Sequence, residues 1–430
     1  MTDNHRELLK AVKGISQSEC SLDEDCLSSL LTDPEWLKSR RILLFSDAAG
    51  IDSLPDHIEL LKTGGKVLNA GITAADIRCS PFEEGLYQLY CRIYSTFDEK
   101  ITADLMIYNN NSSSPLKAVP LEIMPGDNTP QIIDVHSGTY GTWTVELIRE
   151  DDLPADNKVH LVLQPVRPID TVVVSKNRFF FEHCIRAFSG SNGILRLDNE
   201  SPEITISTGD ASSAGRNLVF FPRGESDKWI ESGTIEEAVI PHAVITDHPL
   251  LRFCDISRID FTGAGDIALK GDSVVIAESQ DKVPLLFVHQ DQESKSVIVN
   301  LPPDSTDIYF NTYFPVLVYN CARFLADREE ELKPVYRTGS WIRIPGAAEN
   351  TLSKVRYSGA EYDFTGRNYG PMNTCGIYEF ENNAGIWKTG CGLLSETEIS
   401  AESGLESTAG PVSKGCPLPL LLTAAALLIM

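Results

Sequence analysis

The spacing of apolar residues changes twice along the chain. In residues 1–75 it alternates between helical and strand-like. Leu8, Leu9 and Val12 put apolar groups on one helical face. Ser21 and Glu24 form an S-x-x-E capping box ahead of a second helix with Cys26, Leu27, Leu30 and Leu31. Arg41–Ala48 is an apolar run of the kind buried in a parallel sheet. A helix around Ile58–Leu61, closed by Gly64 and Gly65, is expected next, and then the strand KVLNAGI. Strands separated by helices predict a parallel α/β sheet.

Beyond about residue 75 the period becomes two. Tyr87, Leu89, Cys91 and Ile93 share one face, with Gln88 and Arg92 on the other. Ile101–Tyr108, Leu116–Met124, Gln131–Val135, Thr142–Ile148 and Lys158–Leu163 continue the alternation between turn clusters. This predicts an immunoglobulin-like β-sandwich over 76–165, with Trp143, Val145 and Leu147 facing its core. Residues 166–330 return to an α/β pattern. TVVVS, GILRLD, NLVFFP, SVVIAES, PLLFVHQ and SVIVNL read as strands, with helices near Arg178–Phe188 and Tyr313–Leu325. Residues 331–400 read as a small β-rich segment and 401–416 as a Ser-, Glu- and Gly-rich linker.

The last stretch, 417–430, reads PLPLLLTAAALLIM without a charge. A membrane span needs about 20 apolar residues, so the tail reads as a partial transmembrane helix. A glycolipid-anchor signal would require an N-terminal signal peptide, and MTDNHRELLKAVKG has no apolar core. A helix packed in the protein core is opposed by the two prolines and the linker before them.

The balance of 61 acidic against 37 basic residues gives a net charge of -24, which repels nucleic acid. Ten cysteines lie scattered with no C-x-x-C spacing, so neither a zinc ribbon nor a dithiol redox site is expected. Cys91 and Cys321 sit inside apolar runs, as reduced structural thiols do. No G-x-S-x-G elbow, H-E-x-x-H helix or phosphate loop is present. Cys391 lies between Gly390 and Gly392 without G-x-C-x-G spacing. His183 and Cys184 are adjacent on an expected helix and so point in different directions.

RILLFSDAAG and the KVLNAGITAADI strand resemble the second half of a von Willebrand factor A (VWA) domain. DDLPADNKVHLVL, DHPLLRFCD, YFPVLVYNCARFLA, GIYEF and GLLSETEIS extend the resemblance over nearly the whole chain. They are similar to segments of bacterial membrane-anchored VWA proteins of the aerotolerance-operon type. The resemblance implies a multidomain α/β plus β fold. It would comprise a partial VWA-like α/β unit (1–75), the sandwich (76–165), a non-catalytic class I glutamine amidotransferase-like α/β domain (166–330), the β-rich segment and the apolar tail. Asp47 matches the later metal-binding Asp of VWA domains, and Ser21 lies near the position of their Thr. D-x-S-x-S is absent; the nearest string, Asp210–Ala214, lacks its last Ser and falls in another domain. Asp47 and Ser21 are therefore vestigial candidates. No catalytic residue, metal site or cofactor is expected, and Mg2+ should bind weakly or not at all. The chain is read as an N-terminally truncated member of this family. The implied function is that of a membrane-tethered, non-catalytic interaction or scaffold protein in envelope stress tolerance. Its partners would be proteins, such as other VWA proteins or a chaperone-like ATPase, together with the membrane. The competing class is a hydrolase or amidotransferase-like enzyme acting through the third domain.

Overall fold

The computed structural model describes residues 67–395, apart from 81, 82, 84, 137, 190–192, 210–213, 260, 302–306, 329 and 330. Ahead of these it describes 42–46, 54, 58–62 and the single residues Arg6, Lys10 and Lys13. The chain forms two compact units. One comprises residues up to Cys79, Gly85–Gln164 and Leu332 onward; the other comprises Ser80–Glu84 and Pro165–Glu331.

The first unit contains a β-sandwich. Ala70–Cys79, Leu86–Ser95 and Gln131–His136 pair antiparallel in one sheet, with Gly126–Asp127 at the end of Leu86–Ser95. Lys158–Leu163, Gly141–Ile148, Ile101–Asn109 and Lys117–Ile123 form the other, in that order. Alternate residues from both faces meet in one core: Leu89, Cys91 and Ile93 from the first sheet, Leu105, Ile107, Trp143, Val145, Leu147 and Leu161 from the second. Each large apolar side chain so buried contributes about 1.5–3 kcal/mol. The Trp143 indole donates to the Thr139 carbonyl at 3.1 Å, so its N–H is not stranded. Gly138 makes room for that ring, since a Cβ there would sit 2.2 Å from it.

Val335–Arg337, Gly385–Gly392, Gly376–Asn382, Leu352–Tyr357 and Ala360–Thr365 build a five-stranded sheet in the same unit. Its core holds Val355, Met372, Tyr378, Phe380 and Cys391. It docks on the sandwich edge by a close backbone approach at Gly390, where a Cβ would fall 1.7 Å from the His160 carbonyl oxygen. Val162 N–H donates to the Pro334 carbonyl at 2.8 Å and the Gln164 amide to the Lys388 carbonyl at 2.7 Å. On the outer face, Arg356 donates to Glu361, Glu379 and Glu381 at 2.6–2.7 Å.

The second unit is an eight-stranded mixed sheet. Leu195–Leu197, Ile169–Val174, Ile204–Thr208, Gly215–Phe220 and Ser294–Val299 run parallel. Pro284–Gln290, Ser273–Glu278 and His242–Ala243 continue it antiparallel. Two α-helices can be bounded among the described residues: α1 (Arg178–Ala187) and α2 (Phe314–Leu325). α2 starts with Pro315 in its first turn, where the missing N–H costs nothing, and buries Leu317, Val318, Cys321 and Leu325.

The expected fold class, multidomain α/β plus β with VWA-like and amidotransferase-like α/β units, is overturned. Strand outweighs helix, 48% to 11%, and is spread over several sheets. Two local reasons stand out. Ile58–Lys62, expected as a helix, is a strand paired in parallel with Ile42–Ser46. Ile58 and Leu60 alternate into the interior, and five residues with a strand partner gain more hydrogen bonding there than in a lone helical turn. In the second unit, only residues 209–214 separate Thr208 from Gly215, too few to carry the covering helix of an α/β crossover. Ala70–Cys79, expected to complete a VWA-like unit, belongs to the sandwich, so no VWA-like α/β half-domain is assembled from the described residues. The expected membrane location is likewise corrected. Among the described residues no helix is long and apolar enough to cross a membrane, and the tail at 417–430 lies outside them.

Candidate functional site

Ser21 and Asp47 lie outside the described residues, as do Asp210 and Ser212. The other sequence candidates are kept apart. His183 faces outward on α1, its ring 4.0 Å from that of Phe179 and its Nδ1 2.8 Å from the Phe179 carbonyl. Cys184 points inward, its thiol against the Pro315 carbonyl, and burial pushes its pKa up to about 12. Cys391 is buried against the Met372 carbonyl. These are packing thiols. Burial keeps Cys184 in its unreactive thiol form at neutral pH. Iodoacetamide followed by peptide mass mapping should leave Cys184 unmodified in the folded protein and modify it fully in denaturant. Stoichiometric labelling of the native state would show an accessible, activated thiol instead.

Parallel sheets bind ligands at the carboxyl ends of their strands. Here that edge carries Ser175 and Asn177 after Ile169–Val174, Thr208 as the last residue of Ile204–Thr208, and Phe221 after Gly215–Phe220. Phe221 takes a left-handed φ of 56°, the strained strand-to-turn geometry that presents a nucleophile in many hydrolases, yet it offers only a ring. Around it, Phe180, Phe181, Phe220, Tyr309 and Phe314 pack in edge and stacked contacts, with Phe180 lying 4.4 Å over Tyr309. The polar groups bond to one another: Thr208 to Ser175 at 3.2 Å, Asn177 to the Tyr309 hydroxyl at 3.2 Å. At the rim, Phe179 and Phe310 are 64% and 75% exposed.

Sequence reasoning missed a second constellation. Ser273 and His289 stand opposite each other on adjacent antiparallel strands. The Ser273 hydroxyl lies 3.0 Å from His289 Nδ1, and Asp291 Oδ2 lies 3.4 Å from Nε2. If Nε2–H points to Asp291, Nδ1 is bare and accepts the serine proton, the relation of nucleophile, base and orienting acid. The Ser273 hydroxyl also lies 3.0 Å from the Lys270 carbonyl, which competes for the same single proton. Asp291 is held at a pKa of about 2 by the Glu293 N–H and the Ser294 hydroxyl and N–H, as expected for a residue closing the 290–294 hairpin. The signal lies in the strand register, sixteen residues apart in sequence, and no motif spacing carries it.

The second unit also holds a half-open cavity of about 420 Å³ lined by Thr246, Asp247, His248, Pro249, Leu251, Arg252, Asn320 and Arg323. Ser273 does not line it. Among the described residues no three His, Cys, Asp or Glu side chains gather into a metal set.

No protein-family model matches the sequence, and no curated protein matches it. Among solved structures, a cytoplasmic protein of Salmonella typhimurium LT2 is 10% identical, with a TM-score of 0.29, over 36% of this chain and 99% of its own. An exo-beta-1,4-mannosidase from Opitutaceae bacterium strain TAV5 is 11% identical, with a TM-score of 0.25, over 37% of this chain and 35% of its own. Overlaps this weak establish no shared fold.

Proposed function

We propose that this chain is a non-catalytic, multi-module protein that acts by binding other proteins. The observation that supports this most is the carboxyl edge of the parallel strands. An enzyme would need convergent polar groups and room for a substrate there. This edge is filled by Phe180, Phe181, Phe220, Phe221 and Tyr309, and its few polar groups satisfy one another. The rim exposes Phe179 and Phe310, large rings of the kind that anchor protein interfaces. The acidic composition argues against a nucleic-acid partner.

The competing hydrolase reading draws on Ser273, His289 and Asp291. Purified protein should turn over none of a panel of activated esters, amides and glutamine. Hydrolysis that is saturable and lost in Ser273→Ala would overturn the binding reading. In its favour, partners cross-linked to the wild type should be lost from the Phe179→Asp/Phe310→Asp double variant with its melting temperature unchanged, because both rings are exposed. Equal recovery of partners from both proteins would remove the aromatic rim from the proposal.

A further inference from the structure

The cavity between the 246–252 loop and α2 has no role in the binding reading above, and its chemistry is distinctive. Asn320, 7% exposed on α2, donates both amide hydrogens to backbone carbonyls, to Leu250 at 3.1 Å and to Arg252 at 2.7 Å. It thereby pins the loop to the helix and sets where Arg252 starts. Arg323, one helical turn on from Asn320, is fixed by the Arg328 carbonyl at 2.8–3.0 Å and by the Tyr319 hydroxyl at 3.3 Å. His248 Nδ1 accepts the Leu250 N–H at 3.3 Å, so the neutral ring carries its proton on Nε2 and is a donor. Burial, helped by nearby Lys295, lowers the His248 pKa and favours that neutral form. Lys295 itself is engaged by Asp327 and the Phe324 carbonyl, both at 2.6 Å.

Arg252 stands apart from these fixed groups. Among the described residues its guanidinium donates no hydrogen bond, and its only side-chain partner is the Phe253 ring 5.2 Å away. A free five-donor fork at a cavity wall, with a second guanidinium and an imidazole N–H on the same lining, is a surplus of hydrogen-bond donors. The acidic groups nearby are Asp247 on the lining and Glu331, which lies 3.5 Å from Arg323.

We infer that this cavity binds a small ligand through an oxyanion, carboxylate or phosphate, with Arg252 as the principal contact and Arg323 and His248 as supporting donors. Bidentate Arg–oxyanion pairing gives both strength and orientation. Asp247 opposes a bare multivalent anion and favours a ligand that also presents a hydrogen-bond donor.

The test is calorimetric titration of the full chain with inorganic phosphate and, separately, with citrate, at an ionic strength held constant with sodium chloride. Saturable binding of either is expected; phosphate alone would indicate a phosphate ester as the natural ligand, citrate alone a carboxylate. Arg252→Gln should weaken the binding about tenfold or more, and Asp247→Asn should strengthen it. Since the Arg252 side chain holds nothing in the fold, its variant should melt with the wild type, so a loss of binding is not a loss of structure. No saturable heat for either anion, or equal affinities for wild type and Arg252→Gln, would overturn the site.

Discussion

Trp143→Ala should cost the sandwich about 4 kcal/mol, the largest effect of any single core truncation in that module. The ring is fully buried on Gly141–Ile148, packs 5.1 Å from Tyr87 and covers the surface that Gly138 leaves bare. Its removal strands a cavity between two sheets that are each held by cross-strand hydrogen bonds and cannot close over it. The Thr139 carbonyl also loses its indole donor. Because the chain has two compact units, a single global melt mixes their transitions. Amide hydrogen exchange across 141–148 and 158–163 isolates the sandwich. Ile132→Ala provides the control: its side chain is 71% exposed on a strand of the same module, so its loss should change exchange by less than about 0.5 kcal/mol. A Trp143→Ala effect as small as that control would mean that the ring is not the centre of the core.

The inward positions of Gly141–Ile148 were legible because their code is local. A period of two, broken by turn clusters, is enough to place Trp143, Val145 and Leu147 inside, and all three are buried. The helices near 178 and 313 were legible for the corresponding reason, an amphipathic run of 10 and 12 residues. Ile58–Lys62 was not, because five apolar-rich residues satisfy either period and only the partner strand Ile42–Ser46 decides between them. The same kind of information hid the Ser273–His289 pair, whose two members meet through strand register alone. The aromatic filling of the parallel-strand edge was also invisible, since Phe180, Phe221 and Tyr309 come from separate segments and each reads alone as ordinary core.

What neither period nor motif conveys is the state of a buried charge, and the segment DDLPADN contains one. Asp156 is 2% exposed. Its Oδ2 accepts from the Asn69 amide at 2.7 Å, while Oδ1 has no hydrogen-bond partner. The carboxyl sits over the bare Cα of Gly71, where a Cβ would fall 2.0 Å from it. Burial, against the Asn69 hydrogen bond and with help from the Asp151 charge, pushes its pKa up to about 7. In the unfolded chain it would titrate near 3.9. A group whose folded pKa is raised favours the native state most when protonated. Its contribution is full below about pH 4 and is lost as pH rises to about 7, at about 1.4 kcal/mol per unit between the two. The total is at most about 4 kcal/mol. Asp156→Asn keeps the shape, can still meet Asn69 and never ionises. The stability of the variant minus that of the wild type, read by amide exchange in the sandwich, should therefore grow by up to about 4 kcal/mol from pH 4 to pH 8. Other titrations are common to both proteins and cancel. A difference that stays flat with pH would show that Asp156 is ionised throughout the range, held by a partner that its present surroundings do not provide.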